Sequence, residues 1–297
     1  MIFFLLLIQP NFKNFIEIEL QMNQIIAKKK FSEDVTKFEI RSPIALNEIN
    51  AGQYILLTVA ENEPGIAVAV LKTNPEKVSV TVLVYANNYY SGRLAELNAG
   101  SELFAIDGPF GYPVPVENFG TVLCVSRGPG AVLLLPVLNS LHAAGNRIIT
   151  ILSAQTNEGI ILEEQIKAVS DELITVTDDG SYGEKRSVCQ AITQAIQTSK
   201  INQVVAVGSA TTIKVACAHT TKYNIPVQSI LYLTKAGKNN GHGIFNISSC
   251  GTSKSVCVDG YNFNAWYSGF GEMIKRFGDE EEIPCKIDLA REVNSFV

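Results

Sequence analysis

The chain carries little charge and contains no apolar run long enough to cross a membrane. Of its 297 residues 18% are charged, and the formal net charge is -5, so it lacks the basic excess that binding to a nucleic-acid backbone requires. The apolar run at the N-terminus, Ile2 to Ile8, covers seven residues, whereas a spanning helix needs about twenty. No basic segment or small-residue cleavage site marks it as a secretory signal. We therefore expect neither nucleic acid nor a membrane as a partner.

The cysteines lack the spacing of a metal site or a disulfide framework. There are six, none in a C-x-x-C pair, and three of them, Cys124, Cys189 and Cys217, lie inside apolar stretches. Thiols in such positions behave as small apolar side chains, and disulfides are rare in the cytosol. We therefore expect reduced core thiols and a cytoplasmic location.

One glycine-rich segment, residues 237–260, contains the soft ligands His242, Cys250 and Cys257. A [2Fe-2S] cluster usually takes four thiolates, and this segment has too few. The three residues, together with Cys285, could instead hold zinc, which accepts mixed histidine and cysteine ligation. The alternative is a surface histidine beside reduced thiols, since no C-x-x-C pair supports a metal.

Two kinds of hydrophobic pattern divide the chain. Between about residues 25 and 107, short β-rich segments such as YILLTVA and VSVTVLVYA are separated by turn residues, which predicts an antiparallel β-barrel. From Thr121 onward, apolar strands such as TVLCVS and RIITILSA alternate with helical stretches, which predicts a parallel sheet covered by helices on both faces. The expected fold class is a β-barrel plus an α/β domain, with an irregular segment after about Thr234.

Four stretches carry a resemblance to a known family. They are IILEEQIKAVSDELITVTDDGSYGEK (Ile160 to Lys185), KYNIP (Lys222 to Pro226), VCVDG (Val256 to Gly260) and EMIKRFG (Glu272 to Gly278). Together they resemble the small (alpha) subunit of NADH-dependent ferredoxin-NADP oxidoreductase, a relative of the dihydroorotate dehydrogenase electron-transfer subunit. The similarity runs from about Met22 to about Arg276 and implies the two-domain ferredoxin reductase-like architecture.

The resemblance also implies domain boundaries and a partner. We expect an FAD-binding-type barrel over residues 22–117, an NAD(P)-binding-type α/β domain over 118–233, and a degenerate [2Fe-2S]-type loop with a tail over 234–297. Residues 1–21 are expected to be an extension or a mis-assigned start, with a weak membrane or partner contact as the alternative. In intact relatives electrons pass from NAD(P)H through FAD and the cluster to a large flavoprotein subunit, which is the partner implied here.

The first flavin motif lacks both of the side-chain hydrogen-bond donors that the family has. Family members carry an Arg-x-Pro-x-Thr strand whose arginine pairs with the FAD pyrophosphate, since a guanidinium donates two parallel charged hydrogen bonds. Here the preceding turn survives as Gly52-Gln53, but Gly65 stands at the arginine position and Ala69 at the threonine position. The resemblance leaves Gly52 and Gln53 as candidate FAD contacts.

The second phosphate-contacting turn of the flavin site differs as well. It reads G-x-S-T in the family and NYYS here, which leaves Ser91 as a candidate contact. Arg93, two residues further on, could supply a charge from a shifted position. The alternative is an ordinary exposed arginine.

The glycine-rich turn of the nucleotide domain keeps two of its glycines. The family sequence G-G-G-x-G-x-A-P reads SRGPGAVL here, which retains Gly128 and Gly130 but places Ser126 and Arg127 at the first two positions and Pro129 within the turn. Glycines in such a turn let backbone amides approach a phosphate. The alternative is a plain strand-to-helix connection.

A later nucleotide motif, DDGSYG, is intact. The family's Gly-Arg pair after the second strand has become Ala154-Gln155, whereas Asp178, Asp179 and Gly180 begin an unchanged DDGSYG. These residues could shape one wall of a nucleotide pocket. The alternative is a turn that uses Asp, Gly and Ser for its own geometry.

The cluster ligands of the family are mostly replaced. The family loop reads roughly DGTGMCGAC, followed by CVDG, with one aspartate and three cysteines as ligands. These positions fall at Gly237, His242, Phe245 and Cys257. Since glycine and phenylalanine offer no side-chain donor to a metal, we expect [2Fe-2S] binding to be lost.

Two functions remain open. In the first, the chain is a diverged paralogue that keeps its fold and partner surface, has weakened or lost binding of FAD, NAD(P) and [2Fe-2S], and acts as a structural or regulatory subunit. In the second, it is an active FAD-dependent oxidoreductase subunit that passes electrons between NAD(P)H and a partner flavoprotein. Changes at three separate cofactor sites favour the first function and leave open whether the chain is itself an enzyme.

Overall fold

The computed structural model describes residues 22–86, 88–110, 113–221 and 223–231, together with the backbone of three later strands. The chain divides into two compact units, one comprising Met1–Ile49 and Tyr54–Pro109 and the other Asn50–Gln53 and Phe110–Val297. Each unit has its own hydrophobic core.

The first unit is a six-stranded antiparallel sheet with one helix. Its elements are β1 (Gln24–Lys30), β2 (Val35–Arg41), a 3-10 turn (Pro43–Leu46), β3 (Tyr54–Thr58), β4 (Ile66–Asn74), β5 (Ser79–Tyr85), α1 (Tyr89–Glu96) and β6 (Ala105–Phe110), and the strand order is β1-β2-β5-β4-β3-β6. Buried Phe38 and Ile40 alternate with half-exposed Lys37 and Glu39 along β2, as expected for a sheet with one face on the core.

The edges of this sheet meet through a short segment that precedes β6. Ile25 N donates to Ser101 O at 2.9 Å, and Leu103 N donates to Asn23 O at 2.9 Å. Glu102 and Gln24 form an isolated antiparallel bridge. The antiparallel architecture is therefore confirmed. In place of a closed barrel, the described strands form one six-stranded sheet in which β1 and β6 are the two ends of the hydrogen-bonded order, and the segment before β6 pairs with β1.

The second unit is built on a mainly parallel sheet. Its elements are β7 (Thr121–Arg127), α2 (Gly130–Ala143), β8 (Arg147–Ala154), α3 (Glu163–Lys167), β9 (Glu172–Thr177), β10 (Glu184–Lys185), α4 (Val188–Thr198), β11 (Gln203–Gly208), α5 (Ala210–Thr221), β12 (Val227–Leu231), β13 (Asn246–Ser249), β14 (Thr252–Ser255) and β15 (Asn262–Asn264). The strand order is β10-β9-β8-β7-β11-β12-β15, with β15 antiparallel to β12, while β13 and β14 form a separate pair. The predicted α/β alternation is confirmed.

Helix α4 shows how the sequence places a helix on this sheet. Gln190 N donates to Ser187 Oγ at 3.4 Å and Ser187 N donates to Gln190 Oε1 at 3.0 Å, which closes a capping box. The next turns bury Val188, Ala191, Ile192 and Ala195 at helical spacing. Within the described part of the chain, no helix is long and apolar enough to cross a membrane.

The three cysteines in apolar stretches do not behave alike. Cys124 and Cys217 are reduced thiols, and burial raises the pKa of both, that of Cys217 to about 12. Cys189 is disulfide-bonded, so the expectation of a reduced thiol is wrong at this position.

Candidate functional site

The predicted glycine turn lies at the carboxyl edge of the parallel sheet, where open α/β folds bind their ligands. Gly128 has a φ of 52°, and its N–H donates to Ser153 O at 2.9 Å. Pro129, the N-cap of α2, has no N–H to offer. A Cβ on Gly130 would lie 2.7 Å from Val207 O, so α2 approaches β11 too closely for any other residue. Gly128 and Gly130 therefore keep a packing role. The N–H of Gly128 is already hydrogen-bonded within the chain, and Pro129 has no N–H.

Arg127, the last residue of β7, is buried at the same edge. Its Nη2 lies 2.7 Å from Asp178 Oδ2, and the two side chains are 2% and 11% exposed. Strand β8 lies between β7 and β9, and Asp178 directly follows β9. The Arg127 side chain therefore crosses the end of β8 to reach its partner. Two neighbouring buried oxygens, Ser126 Oγ and Asp178 Oδ1, accept or donate no hydrogen bond within the described residues.

Asp179 bonds within its own turn. Its Oδ1 accepts hydrogen bonds from Ser181 N at 2.9 Å and from Ser181 Oγ at 2.7 Å, and these bonds lower the pKa of Asp179. Ser181 Oγ also accepts from Asn157 N at 2.8 Å. Gly180, with a φ of 80°, lies against the side chain of Lys185. The first half of the DDGSYG motif is thus held by contacts within the chain.

The second half of the motif is fastened to α3 and β9 through Glu163. Tyr182 Oη donates to Glu163 Oε2 at 2.8 Å, and Thr175 Oγ1 donates to Glu163 Oε1 at 2.6 Å. The bond to Glu163 raises the pKa of Tyr182. Gly183 has a φ of 61°, and a Cβ there would lie 2.3 Å from Thr175 O. These contacts hold the motif as a well-bonded turn, and the assignment of Asp178, Asp179 and Gly180 to a nucleotide pocket stays a prediction.

The Gly52-Gln53 turn is also shaped by packing. Gly52 has a φ of 87°, and a Cβ there would lie 2.6 Å from Val114 Cγ2. Gln53 Oε1 accepts from Asn50 N at 2.9 Å and closes the turn. Both residues shape the local backbone, and their assignment as FAD contacts stays a prediction.

The two changed flavin positions, Gly65 and Ala69, lie directly before β4 and within it. A Cβ on Gly65 would lie 3.1 Å from Leu56 Cβ, so a larger side chain there requires Leu56 to yield by a few tenths of an ångström. Ala69 is 4% exposed and pairs with Tyr54 of β3. Neither side chain can donate a hydrogen bond.

Ser91 belongs to the N-terminal cap of α1. Ser91 N donates to Asn88 Oδ1 at 3.0 Å, and Asn88 N donates to Ser91 Oγ at 3.1 Å. Ser91 is 2% exposed. Ser91 therefore caps α1 in this chain, and its assignment as a flavin contact stays a prediction.

Arg93 is joined to Glu63 in an ion pair that the sequence pattern did not predict. Glu63 accepts a hydrogen bond from Arg93 Nη1 and raises the pKa of Arg93. The guanidinium also lies 5.9 Å from the centroid of the Tyr89 ring. The arginine proposed as a displaced phosphate ligand therefore has an acidic partner within the chain.

Comparison with known proteins decides the lineage. No protein-family model matches the sequence. Over 261 residues, however, the chain is 31% identical to the dihydroorotate dehydrogenase B (NAD(+)) electron transfer subunit homolog of Thermotoga maritima, which covers 88% of this chain and 92% of that protein. The chain belongs to this family of electron-transfer subunits. The Bacillus cereus dihydroorotate dehydrogenase B electron transfer subunit is 28% identical over 57% of this chain and 66% of its own length.

Solved structures agree with this electron-transfer subunit lineage. The NADH-dependent reduced ferredoxin-NADP oxidoreductase structure matches with a TM-score of 0.74 and 29% identity over 86% of this chain and 93% of that chain. Ferredoxin-NADP+ reductase from Plasmodium falciparum, at 15% identity and a TM-score of 0.53 over 70% of this chain and 95% of that chain, shares the fold. The resemblance drawn from sequence motifs is confirmed, as is the ferredoxin reductase-like fold.

The candidate metal ligands of this electron-transfer subunit homologue, His242, Cys250 and Cys257, lie outside the described residues. Among the residues that the structure describes, no group of three or more His, Cys, Asp or Glu side chains could hold a metal ion. The assignment of these three positions remains a prediction.

Proposed function

We propose that this member of the electron-transfer subunit family keeps the fold and partner-docking role of its relatives, while its own binding of FAD, NAD(P) and [2Fe-2S] is weakened or lost. It then acts in the cytoplasm as a structural or regulatory subunit beside a large flavoprotein subunit. One contrast carries the proposal. The DDGSYG turn is retained and held by hydrogen bonds within the chain, whereas the flavin positions Gly65 and Ala69 lack the charged and hydroxyl donors of the family.

The residues at the flavin positions do not fit the FAD pyrophosphate. Gly65 has no side chain, Ser91 is buried in a helix cap, and Arg93 already pairs with Glu63. A hydrogen bond to a charged group contributes about 1.5–3 kcal/mol, so losing one weakens binding by at least about tenfold. The active-oxidoreductase alternative depends on Arg93, and the Glu63 pair argues against it.

The retained stretch from Ile160 to Lys185 supports a preserved fold at this edge of the sheet. Its turn is held to α3 and β9 through Glu163 and to Asn157 through Ser181. Relatives of this chain are, by name, electron-transfer subunits of dihydroorotate dehydrogenase B, which supports assembly with a second subunit. A chain drifting without any function is expected to lose such a turn together with its cofactor donors.

Co-expression with a tagged large flavoprotein subunit of the family tests this role. We expect the two chains to co-elute in size-exclusion chromatography and to associate in titration calorimetry. The electron-transfer subunit homolog of Thermotoga maritima, added in excess, should displace the chain if both use one docking surface. Separate elution together with no heat of association refutes the docking role.

A further inference from the structure

We infer that the ion pair between Arg127 and Asp178 is a built-in lock that keeps the phosphates of a dinucleotide away from the carboxyl edge of the parallel sheet. The inference rests on the proposed loss of nucleotide binding and names the residues that cause it. It also predicts that removing the lock restores binding.

The position of the lock is the first argument. Neighbouring strands lie about 4.8 Å apart, so the ends of β7 and β9 are separated by roughly twice that distance, with β8 between them. Arg127 spans this gap from β7 to Asp178, with side chains only 2% and 11% exposed. Ligands of open α/β sheets lie in the crevice outside the strand ends, and part of that crevice is filled here by protein.

The backbone next to the lock is the second argument. A phosphate at a helix N-terminus is held by backbone N–H groups that point at it. Gly128 N donates to Ser153 O, Ser153 Oγ donates to Ser126 O at 2.9 Å, and Pro129 has no N–H. The turn therefore closes on β8 and presents few donors to an anion.

The charge at this edge is the third argument. Asp178 neutralises Arg127 at 2.7 Å, and Asp179, whose pKa is lowered, adds a negative charge one residue further on. Glu163 adds a second negative charge through its contact with the turn, and Lys185 beside Gly180 supplies one positive charge. Arg186 and Glu184, next to the turn, pair with each other at 2.7 Å and cancel. The remaining charges are negative by one unit, which disfavours a phosphate.

Arg127 is therefore a lock and not a receptor for phosphate. An arginine that recognises phosphate presents its planar fork to the ligand, whereas this guanidinium is covered and already bonded to a carboxylate. Turning Arg127 toward a ligand would leave the Asp178 carboxylate buried and uncompensated, which is strongly unfavourable.

Titration of the full chain with NADH and NADPH, followed by calorimetry and nucleotide fluorescence, tests the lock. We expect no measurable binding by the wild-type chain. The double variant Arg127→Gly/Asp178→Asn removes both charges and leaves no uncompensated carboxylate, and it should bind at least about tenfold more tightly than wild type. The control is Arg147→Gly/Glu172→Gln, which removes an exposed ion pair of 3.7 Å between β8 and β9 and should bind no better than wild type.

A second variant keeps the lock testable if the first double variant does not fold. Arg127→Gln/Asp178→Asn keeps two polar side chains that can hydrogen-bond and leaves no buried charge. Its shorter side chain opens only part of the space, so the folded variant should show part of the gain. If neither the wild-type chain nor the folded variants bind, the lock is refuted while the loss of nucleotide binding stands. If the wild-type chain binds NADH and Arg127→Gly/Asp178→Asn abolishes binding, Arg127 is a phosphate ligand, and both the lock and the proposed loss are wrong.

Discussion

Replacing Gly183 with alanine probes whether the retained DDGSYG turn serves the fold. The residue has a φ of 61°, and the added Cβ would lie 2.3 Å from Thr175 O and 2.9 Å from Thr175 C. Both neighbours are backbone atoms of β9, so no side chain can rotate away. The substitution therefore combines a left-handed backbone conformation with a steric clash.

The backbone conformation and the steric clash each lower the free energy of unfolding of Gly183→Ala. A left-handed conformation costs a non-glycine residue about 1–2 kcal/mol, and overpacking in a tight site costs about 1–3 kcal/mol. The free energy of unfolding should therefore fall by about 2–5 kcal/mol, which lowers Tm by about 4–20 °C for a unit of this size. Thermal unfolding followed by circular dichroism measures the change.

Gly128→Ala is the matched control for this experiment. Gly128 has a φ of 52°, and a Cβ there meets no atom within 4 Å, so the variant carries the backbone cost of about 1–2 kcal/mol without the clash. Equal loss of Tm in the two variants, or a smaller loss in Gly183→Ala, would show that contact with β9 does not fix the turn.

Three further outcomes follow from the same contacts. Hydrogen bonds from Ser181 lower the pKa of Asp179 from 3.8. Their contribution to the stability of the folded chain is therefore present above about pH 3.8 and is lost as the pH falls through the lowered pKa. Ser181→Ala should raise the Asp179 pKa in a carbon NMR titration, and an unchanged pKa would show that Ser181 is not its cause. Cys124 and Cys217, whose thiol pKa values are raised by burial, should resist alkylation at pH 8 until the chain is unfolded, as judged by peptide mapping. Gly65→Arg should tighten FAD binding at least about tenfold in a fluorescence titration, and equal affinities would show that position 65 does not face the pyrophosphate.

The strands and most helices are predictable from the sequence because buried positions carry apolar residues at the spacing of a strand or a helix. Strand β8 is buried from Ile148 to Ala154, which gives the continuous apolar run typical of a strand covered on both faces. Helix α1 was missed because its signal is a polar cap, and only Ser91 and Leu94 are buried within it. The pairing of the β1 edge with Ser101 and Leu103 joins residues far apart in the sequence, and no local pattern encodes it.

The ion pairs of the candidate site were not predictable from spacing. Arg127 and Asp178 are 51 residues apart, and Arg93 and Glu63 are 30 apart. A single sequence does not reveal which distant charges meet. The sequence contains one indication of the Arg127 ion pair, namely an arginine at a position where the family has a turn glycine. A charged side chain there must either reach solvent or pair with an acidic residue.

An absorption spectrum of the chain, purified from cells that assemble iron-sulfur clusters, tests the central claim most directly. The account predicts a protein without the visible bands of flavin or of a [2Fe-2S] cluster, since Gly65 cannot pair with a pyrophosphate and Gly237 and Phe245 cannot ligate iron. One equivalent of bound flavin, or stoichiometric iron and acid-labile sulfide, would contradict it.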